Sequence, residues 1–289
     1  MPINWFPGHM NKAKREIGQA MAEVDIVIEV LDARLPDSSE NPLVARLRRD
    51  KPCIKILNRQ DMADPVVTAA WVAHLQRRPG VIALTHDRSQ TEQARRLVDL
   101  ARRLLPPERS AHRSVTAMIL GVPNVGKSTL INTMAGRNIA RTSNKPAVTK
   151  KQQQVQVARD FVLLDTPGFL WPKLSPPECG YRLAISGAIA DTAVDYPEMA
   201  VFAVEWLAKD YPHALLDRYG LTELPAEPVA VLDRIAARRA CLKKGGLVDY
   251  QKVSELLVKE IRQGLLGRLS FERPPAEGEV EGEEEPEGE

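Results

Sequence analysis

Cysteine is scarce in this chain. Cys53, Cys179 and Cys241 are odd in number, far apart and form no C-x-x-C pair. Disulfide frameworks and zinc sites need cysteines paired at short spacings, so the pattern argues against both and leaves three reduced thiols. No apolar run approaches the ~20 residues that span a bilayer. The start, Met1-Pro2-Ile3-Asn4-Trp5-Phe6-Pro7-Gly8-His9, has no charged stretch followed by an apolar one, so no secretory signal is read there. These absences predict a cytoplasmic protein without a membrane role.

What the chain does have is length and basic charge. Its 289 residues, 44% of them hydrophobic, can bury a substantial core and leave room for two domains. The net charge of +2 hides an uneven distribution. The last sixteen residues, Pro274 to Glu289, hold eight Glu and no Lys or Arg, and without them 40 basic residues face 30 acidic ones. A body with that excess suits a polyanion such as nucleic acid, although a solvated surface would read the same way. The Glu/Pro/Gly tail (274–289) lacks the apolar surface to order itself and is expected to be disordered.

Four apolar runs that end in turn-forming or polar residues read as buried parallel strands: Asp25 to Leu31, Cys53 to Leu57, Val81 to Leu84 and Val115 to Leu120. Amphipathic helices are expected at Val66 to Gln76 and Thr91 to Leu105, the second stopped by Pro106-Pro107. Gln154 to Val157 alternates, turns around Ala158-Arg159-Asp160 and returns as Phe161 to Leu164, an edge hairpin. The prediction is a doubly wound, mostly parallel six-stranded sheet over residues 1–175. Beyond Ser175-Pro176-Pro177 only helical periodicity follows, around Tyr181 to Val194, Met199 to Lys209, Val229 to Cys241 and Tyr250 to Leu265. That gives a small all-α domain over 176–273. Its stretch Val231 to Arg273 holds ten Lys or Arg against five acidic residues, which makes it the candidate RNA-facing half.

The chemistry lies in three motifs. Gly121-Val122-Pro123-Asn124-Val125-Gly126-Lys127-Ser128 fits the phosphate-loop pattern G-x-x-x-x-G-K-[ST], between an expected strand and an expected helix from Lys127 to Met134. Its backbone N–H groups and the helix N-terminus cradle phosphates, with Asn124, Val125, Gly126 and Thr129 among the contacts. Lys127 would neutralise the β- and γ-phosphates, Ser128 would bind Mg²⁺, and Asp165 of Asp165-Thr166-Pro167-Gly168 would hold the ion through water. Thr149, in the basic loop Lys145 to Lys151, is the candidate to sense the γ-phosphate and complete the ion's shell, and Gly168 is a further expected nucleotide contact. Asn58-Arg59-Gln60-Asp61 is the base-reading tetrad. Asp61 can accept from guanine N1–H and its 2-amino group, which adenine cannot offer, so GTP is favoured. Ala83-Leu84-Thr85-His86 is the candidate second guanine-side loop, with Thr85 and His86 as its expected contacts. Arg59 stands where a Lys is usual; its stem can still pack on the base. The tetrad precedes the phosphate loop, and that order is a circular permutation.

Together and in this order these residues resemble the circularly permuted GTPases, in particular the ribosome biogenesis GTPase A family. The resemblance covers nearly the whole chain. It includes Trp5-Phe6-Pro7-Gly8-His9-Met10, Asp32-Ala33-Arg34-Leu35-Pro36, Gly168-Phe169-Leu170-Trp171-Pro172, Gly245-Gly246 and Leu269-Ser270-Phe271-Glu272-Arg273-Pro274. It implies a P-loop GTPase that binds the immature large ribosomal subunit late in assembly, contacts its rRNA through the helical domain, and is released or reset by hydrolysis. Turnover is then slow alone and stimulated by the subunit; a DNA partner is not implied. Where Ras-like enzymes carry a water-orienting Gln, this chain has Phe169, and the resemblance points to His9 as the substitute, a packing or RNA-contacting histidine being the other reading. Asn124 resembles the Asn of potassium-activated GTPases, so K⁺ joins Mg²⁺ among the expected ions. The helix expected at Asn11 to Ala22 carries Lys12, Lys14 and Arg15, which either touch RNA or are a solvated face.

A kinase or ATPase could share the phosphate loop, but the tetrad and Asp-Thr-Pro-Gly oppose it. A nonenzymatic RNA scaffold that merely retains nucleotide would look the same in sequence. A permuted GTPase of the small subunit would carry an appended zinc-binding Cys/His cluster, and none is present.

Overall fold

In the computed structural model, residues 8–112, 114–140 and 153–276 are described. Six strands, β1 (Ile26–Asp32), β2 (Cys53–Asn58), β3 (Val81–His86), β4 (Val115–Leu120), β5 (Gln153–Ala158) and β6 (Phe161–Asp165), form one sheet in the order β3-β2-β1-β4-β6-β5. All neighbours are parallel except β5 and β6, which form the expected edge hairpin. β1 is buried along its whole length, as a central parallel strand covered on both faces must be. Of its two carboxylates, Asp32 ends the strand and Glu29 lies inside it beside Lys55 in the β1–β2 register, where Lys55 Nζ donates to Glu29 Oε2 at 2.5 Å and Glu40 Oε1 at 2.8 Å. Pairing of this kind is what permits a carboxylate and an ammonium inside a sheet.

The helices of this part are α1 (Gly8–Ala20), α2 (Pro36–Ser39), α3 (Pro42–Arg48), α4 (Pro65–Gln76), α5 (Thr91–Arg103), α6 (Pro107–His112) and α7 (Lys127–Ala135). Asp64 caps α4 by accepting from Val66 N and Val67 N, with Pro65 at the first helical position. The helix buries Val67, Trp71 and Leu75, one stripe at i, i+4 and i+8, against Leu31, Leu57 and Ala83. Removing Trp71's ring from that stripe would cost about 3–5 kcal/mol. The expected helix to Leu105 ends at Arg103, and Pro107 opens a separate short helix because proline suits a first turn.

The second part comprises α8 (Pro177–Ser186), α9 (Tyr196–Asp210), α10 (Pro212–Tyr219), α11 (Pro228–Arg238) and α12 (Tyr250–Arg262). α9 is its axis and packs against the other four. It buries Met199, Ala200, Ala203, Val204 and Leu207, and Asp195 caps it by accepting from Glu198 N at 2.9 Å. The helix expected at Tyr181 to Val194 stops at Ser186, because Gly187 takes a left-handed φ of +85°. α10 was not expected from the sequence; Pro212 breaks it from α9. The acidic segment 277–289 lies outside the described residues.

After α12 the chain returns to the sheet. Leu269 N donates to Met62 O at 2.9 Å, Phe271 N to Arg34 O at 2.6 Å, and Trp71 Nε1 to Glu272 O at 3.2 Å. The Glu272 carboxylate accepts from Asp37 N and Ser38 N at the start of α2, from the Ser38 hydroxyl, and from Arg182 on α8. Burial, reinforced by the Asp37 charge and only partly offset by Arg182, pushes the Glu272 carboxyl up to about 7.

Candidate functional site

Strand order reverses between β1 and β4, and ligands of open α/β sheets bind at such a switch point beyond the strands' carboxyl ends. Parallel register sets Asp32, Asn58 and His86 side by side there, while Asp165 ends β6 on the far side of β4. Between β4 and α7 the backbone turns through Gly121 (φ +147°) and Gly126 (φ +106°). A Cβ on Gly121 would sit 2.4 Å from Val30 O, and one on Gly126 2.3 Å from Asn58 Nδ2, so only glycine lets the loop pack this closely. Gly168 is likewise pressed on Pro123, where a Cβ would meet the backbone at 2.7 Å and Lys127 Nζ at 3.0 Å.

Lys127 Nζ donates to Gly121 O at 2.9 Å and Val122 O at 3.0 Å. Burial draws its pKa down to about 8, opposed by the Asp165 charge. Burial likewise pushes Asp165 up to about 6, opposed by Lys127, and its Oδ1 is buried without a partner. An ammonium and a carboxylate held so dry, one with an orphaned oxygen, fit phosphates and a hard cation. Ser128 lines the same cavity and supplies a second oxygen. Among the described residues no cluster of three His, Cys, Asp or Glu could hold a metal by itself.

On the base side, Asn58 bridges the two halves. Its Nδ2 donates to Val125 O at 2.7 Å, and its Oδ1 stands 3.0 Å from His86 Nδ1. Since that oxygen only accepts, Nδ1 carries the proton and Nε2, buried without a partner, is the acceptor. Burial lowers the His86 pKa, against Asp87 and Asp61, which keeps the ring neutral. Arg59, at φ +62°, uses both arms of its guanidinium: Nη1 donates to Asp32 Oδ2 at 3.2 Å and Nη2 to Asn124 O at 2.5 Å. Gln60 Nε2 donates to Asp87 Oδ2, tying the tetrad to the loop after β3.

These residues surround a cavity of about 1390 Å³, lined by Asn58, Arg59, Asp61, His86 and the phosphate loop through Thr129, with Gly168. Thr85 is within β3 and does not line it, because strand alternation turns it to the opposite face from His86. Val125 is buried beneath the loop and takes part through its carbonyl. His9 falls in the first turn of α1 with its side chain outside the described part of the structure, and Thr149 lies outside the described residues. Phe169 is fully buried, so no side chain at that position can orient water.

The helical C-terminal part of the chain supplies some of the wall, which local sequence patterns did not foretell. Gly187, Asp191, Lys259, Arg262 and Gln263 line the cavity. The Asn124 side-chain amide donates to Gly187 O at 2.8 Å, and Arg262 holds the end of α8 through Ala184 O and Ile185 O and pairs with Asp191. Asp32 was carried only as part of a resembling motif, yet it is the hub. Burial disfavours its charge, but Arg34, donating from Nε at 2.9 Å and Nη2 at 2.8 Å, and Arg59 outweigh that and hold it down at about 2. Arg34 Nη1 reaches on to Ile261 O in α12.

A permuted motif order on a switch-point cavity defines a circularly permuted P-loop GTPase. Comparison with known proteins agrees: residues 116–211 match the family described as 50S ribosome-binding GTPase. The chain is 42% identical to ribosome biogenesis GTPase A of Bacillus cereus, over 96% of each chain, and 30% identical to that of Thermotoga maritima, over 94% of this chain and 95% of the relative. It therefore belongs to the ribosome biogenesis GTPase A family. GNP-bound YlqF from T. maritima superposes with a TM-score of 0.65 at 27% identity, over 91% of this chain and 98% of that one; a GDP-bound YlqF structure gives 0.65 at 26%, over 90% and 99%.

Proposed function

We propose that this protein binds the rRNA of the maturing large ribosomal subunit through its helical domain, hydrolyses GTP there, and is released or reset by that hydrolysis. The observation that carries the reading is the direct bond between Asn124 of the phosphate loop and Gly187 of the helical domain, around one shared cavity. A nucleotide that moves the loop must disturb that bond, so nucleotide state and RNA affinity are coupled, and the coupling is reciprocal. The site of action is the cytoplasm; among the described residues no helix is long and apolar enough to cross a membrane.

In this reading Asp61 selects guanine, and Asn58 keeps the tetrad in register with the phosphate loop. Lys127 would leave the carbonyls of Gly121 and Val122 for the β- and γ-phosphates, and Ser128, Asp165 and Thr149 would hold Mg²⁺. The ion, when bound, would supply charge neutralisation to the phosphates. With Phe169 buried, His9 is the residue assigned to the attacking water. Asn124 would ligate K⁺ on the same loop, which requires its amide to let go of Gly187.

The buried Phe169 also favours a second reading, a nucleotide-gated RNA scaffold that does not turn over. The deciding experiment is GTP turnover in K⁺ buffer, with ATP as control, alone and with purified large or small subunits. Stimulation by the large subunit alone supports the proposal; tight GTP binding with no turnover under any condition supports the scaffold.

A further inference from the structure

The nucleotide cavity holds more positive charge than a nucleotide can use. Seven Lys and Arg and two Asp line it among the described residues, and with Asp32 against Arg59 and Asp165 beside Lys127 also counted the net is +3 with His86 neutral. A triphosphate with its Mg²⁺ brings about −2. Three of the cations are already engaged: Lys127 at the phosphate loop, Arg59 on Asp32, Arg262 on Asp191. The other four, Arg88, Arg95, Arg137 and Lys259, are exposed at the mouth.

Their surroundings do not neutralise them. Arg88, Arg137 and Lys259 have no carboxylate partner among the described residues, and Arg95 has only Glu92, an exposed i,i+3 pair worth little. Arg95 Nη2 lies 3.9 Å from where a Cβ on Gly136 would sit, at the end of α7, and Arg137 Nη2 donates to Gln156 O at 3.4 Å. Lys259 lines the same mouth from α12. Cations gathered around one opening repel unless an anion lies among them.

We infer that this rim receives the phosphate backbone of RNA, so that bound RNA closes the mouth of the nucleotide cavity. The inference rests on the RNA-binding reading above and narrows it. It places the polyanion on the GTPase domain as well as the helical one. Backbone contacts of this kind carry affinity without sequence preference, and they lie where they would impede nucleotide exit. Arg234 and Arg238 of α11, and Lys243 and Lys244 in the turn that follows it, do not line the cavity.

The test uses a full-length variant with Arg88, Arg95, Arg137 and Lys259 replaced by Ala, all four exposed positions. Binding of a short fluorescein-labelled RNA hairpin is titrated over a range of KCl. Each lost phosphate contact lowers the slope of log K against log salt by about 0.7–0.9, so a fall of about 3 is expected. RNA should slow mant-GDP release about five-fold or more in wild type and not in the variant, each protein being compared with itself without RNA. An unchanged slope, with wild-type protein binding the hairpin, overturns the inference and leaves the RNA reading standing. Weaker mant-GDP binding with an unchanged RNA slope assigns the rim to the nucleotide and also overturns it. Wild-type protein that binds no RNA sinks both. A rim effect that vanishes when the eight tail Glu are replaced by Gln identifies that segment as the occupant and overturns the inference too.

Discussion

The side-chain amide of Asn124 donates to the carbonyl oxygen of Gly187 across 2.8 Å, joining the phosphate loop to the turn that ends α8. One side chain thus serves a domain contact and is the proposed K⁺ ligand. Asn124→Ala is expected to abolish the difference between K⁺ and Na⁺ buffers, lowering turnover in K⁺ by about 10- to 100-fold. Steady-state GTP hydrolysis in the two salts measures it; a persisting K⁺ stimulation would remove Asn124 from that role.

The Lys127–Asp165 pair makes nucleotide-free stability depend on pH in two windows. Asp165 rises from its ordinary 3.8 to about 6, so between those values the folded protein keeps a proton that the unfolded chain has lost, and stability falls as pH rises. Lys127 falls from 10.5 to about 8, so in that range the unfolded chain binds the extra proton and stability rises with pH. The lower window amounts to about 3 kcal/mol at most. Urea midpoints across pH should show it, and Asp165→Asn should flatten the lower window and remove stabilisation by Mg²⁺ and GTP.

Arg34 is 1% exposed and is the chief partner of Asp32. Arg34→Ala leaves a buried carboxylate with Arg59 and the backbone N–H of residue 34 and is expected to cost about 3–5 kcal/mol. Asp32→Asn combined with Arg34→Met should cost less than the sum of the two single changes, because the interaction is lost only once. Equilibrium denaturation of the three variants measures the coupling, and strict additivity would deny it.

Asp61→Asn should weaken GTP binding by about 100-fold or more, since two charge-assisted hydrogen bonds to the guanine edge go with it. Xanthosine triphosphate, which offers an acceptor where guanine has its amino group, should bind the variant better than the wild type. Competition against mant-GDP reads both nucleotides, and unaltered selectivity would place the base elsewhere.

His9→Ala is expected to lower turnover on the large subunit by about 100-fold or more while leaving GTP affinity unchanged. A parallel loss of affinity and turnover would mean that the histidine serves binding instead.

The sheet was legible because its strands are apolar runs buried on both faces, and a run such as Val115 to Leu120 admits few other readings. The phosphate loop was legible because its glycines and lysine are adjacent in sequence. The Asp32–Arg34 hub was visible only as a motif without a stated role, since its meaning depends on Ile261 and Phe271, more than two hundred residues away. Thr85 was placed in the site by adjacency to His86, but strand alternation turns neighbours to opposite faces. The helical wall at Gly187 and Lys259 left no local signal, because burial against another domain has no period of its own.

Chain order also sets the order of synthesis. β1, β2 and β3 form the base-reading half of the sheet, and they are synthesised before β4. β1 is central in the finished sheet, yet one of its edges pairs only with β4, Ile26 opposite Ala117. Until that strand arrives, an apolar strand presents an unpaired edge, the kind of template that invites association with other chains. The interval between the two halves is therefore the period of greatest exposure in this protein's folding, and the phosphate loop, carried on β4, is the element that ends it.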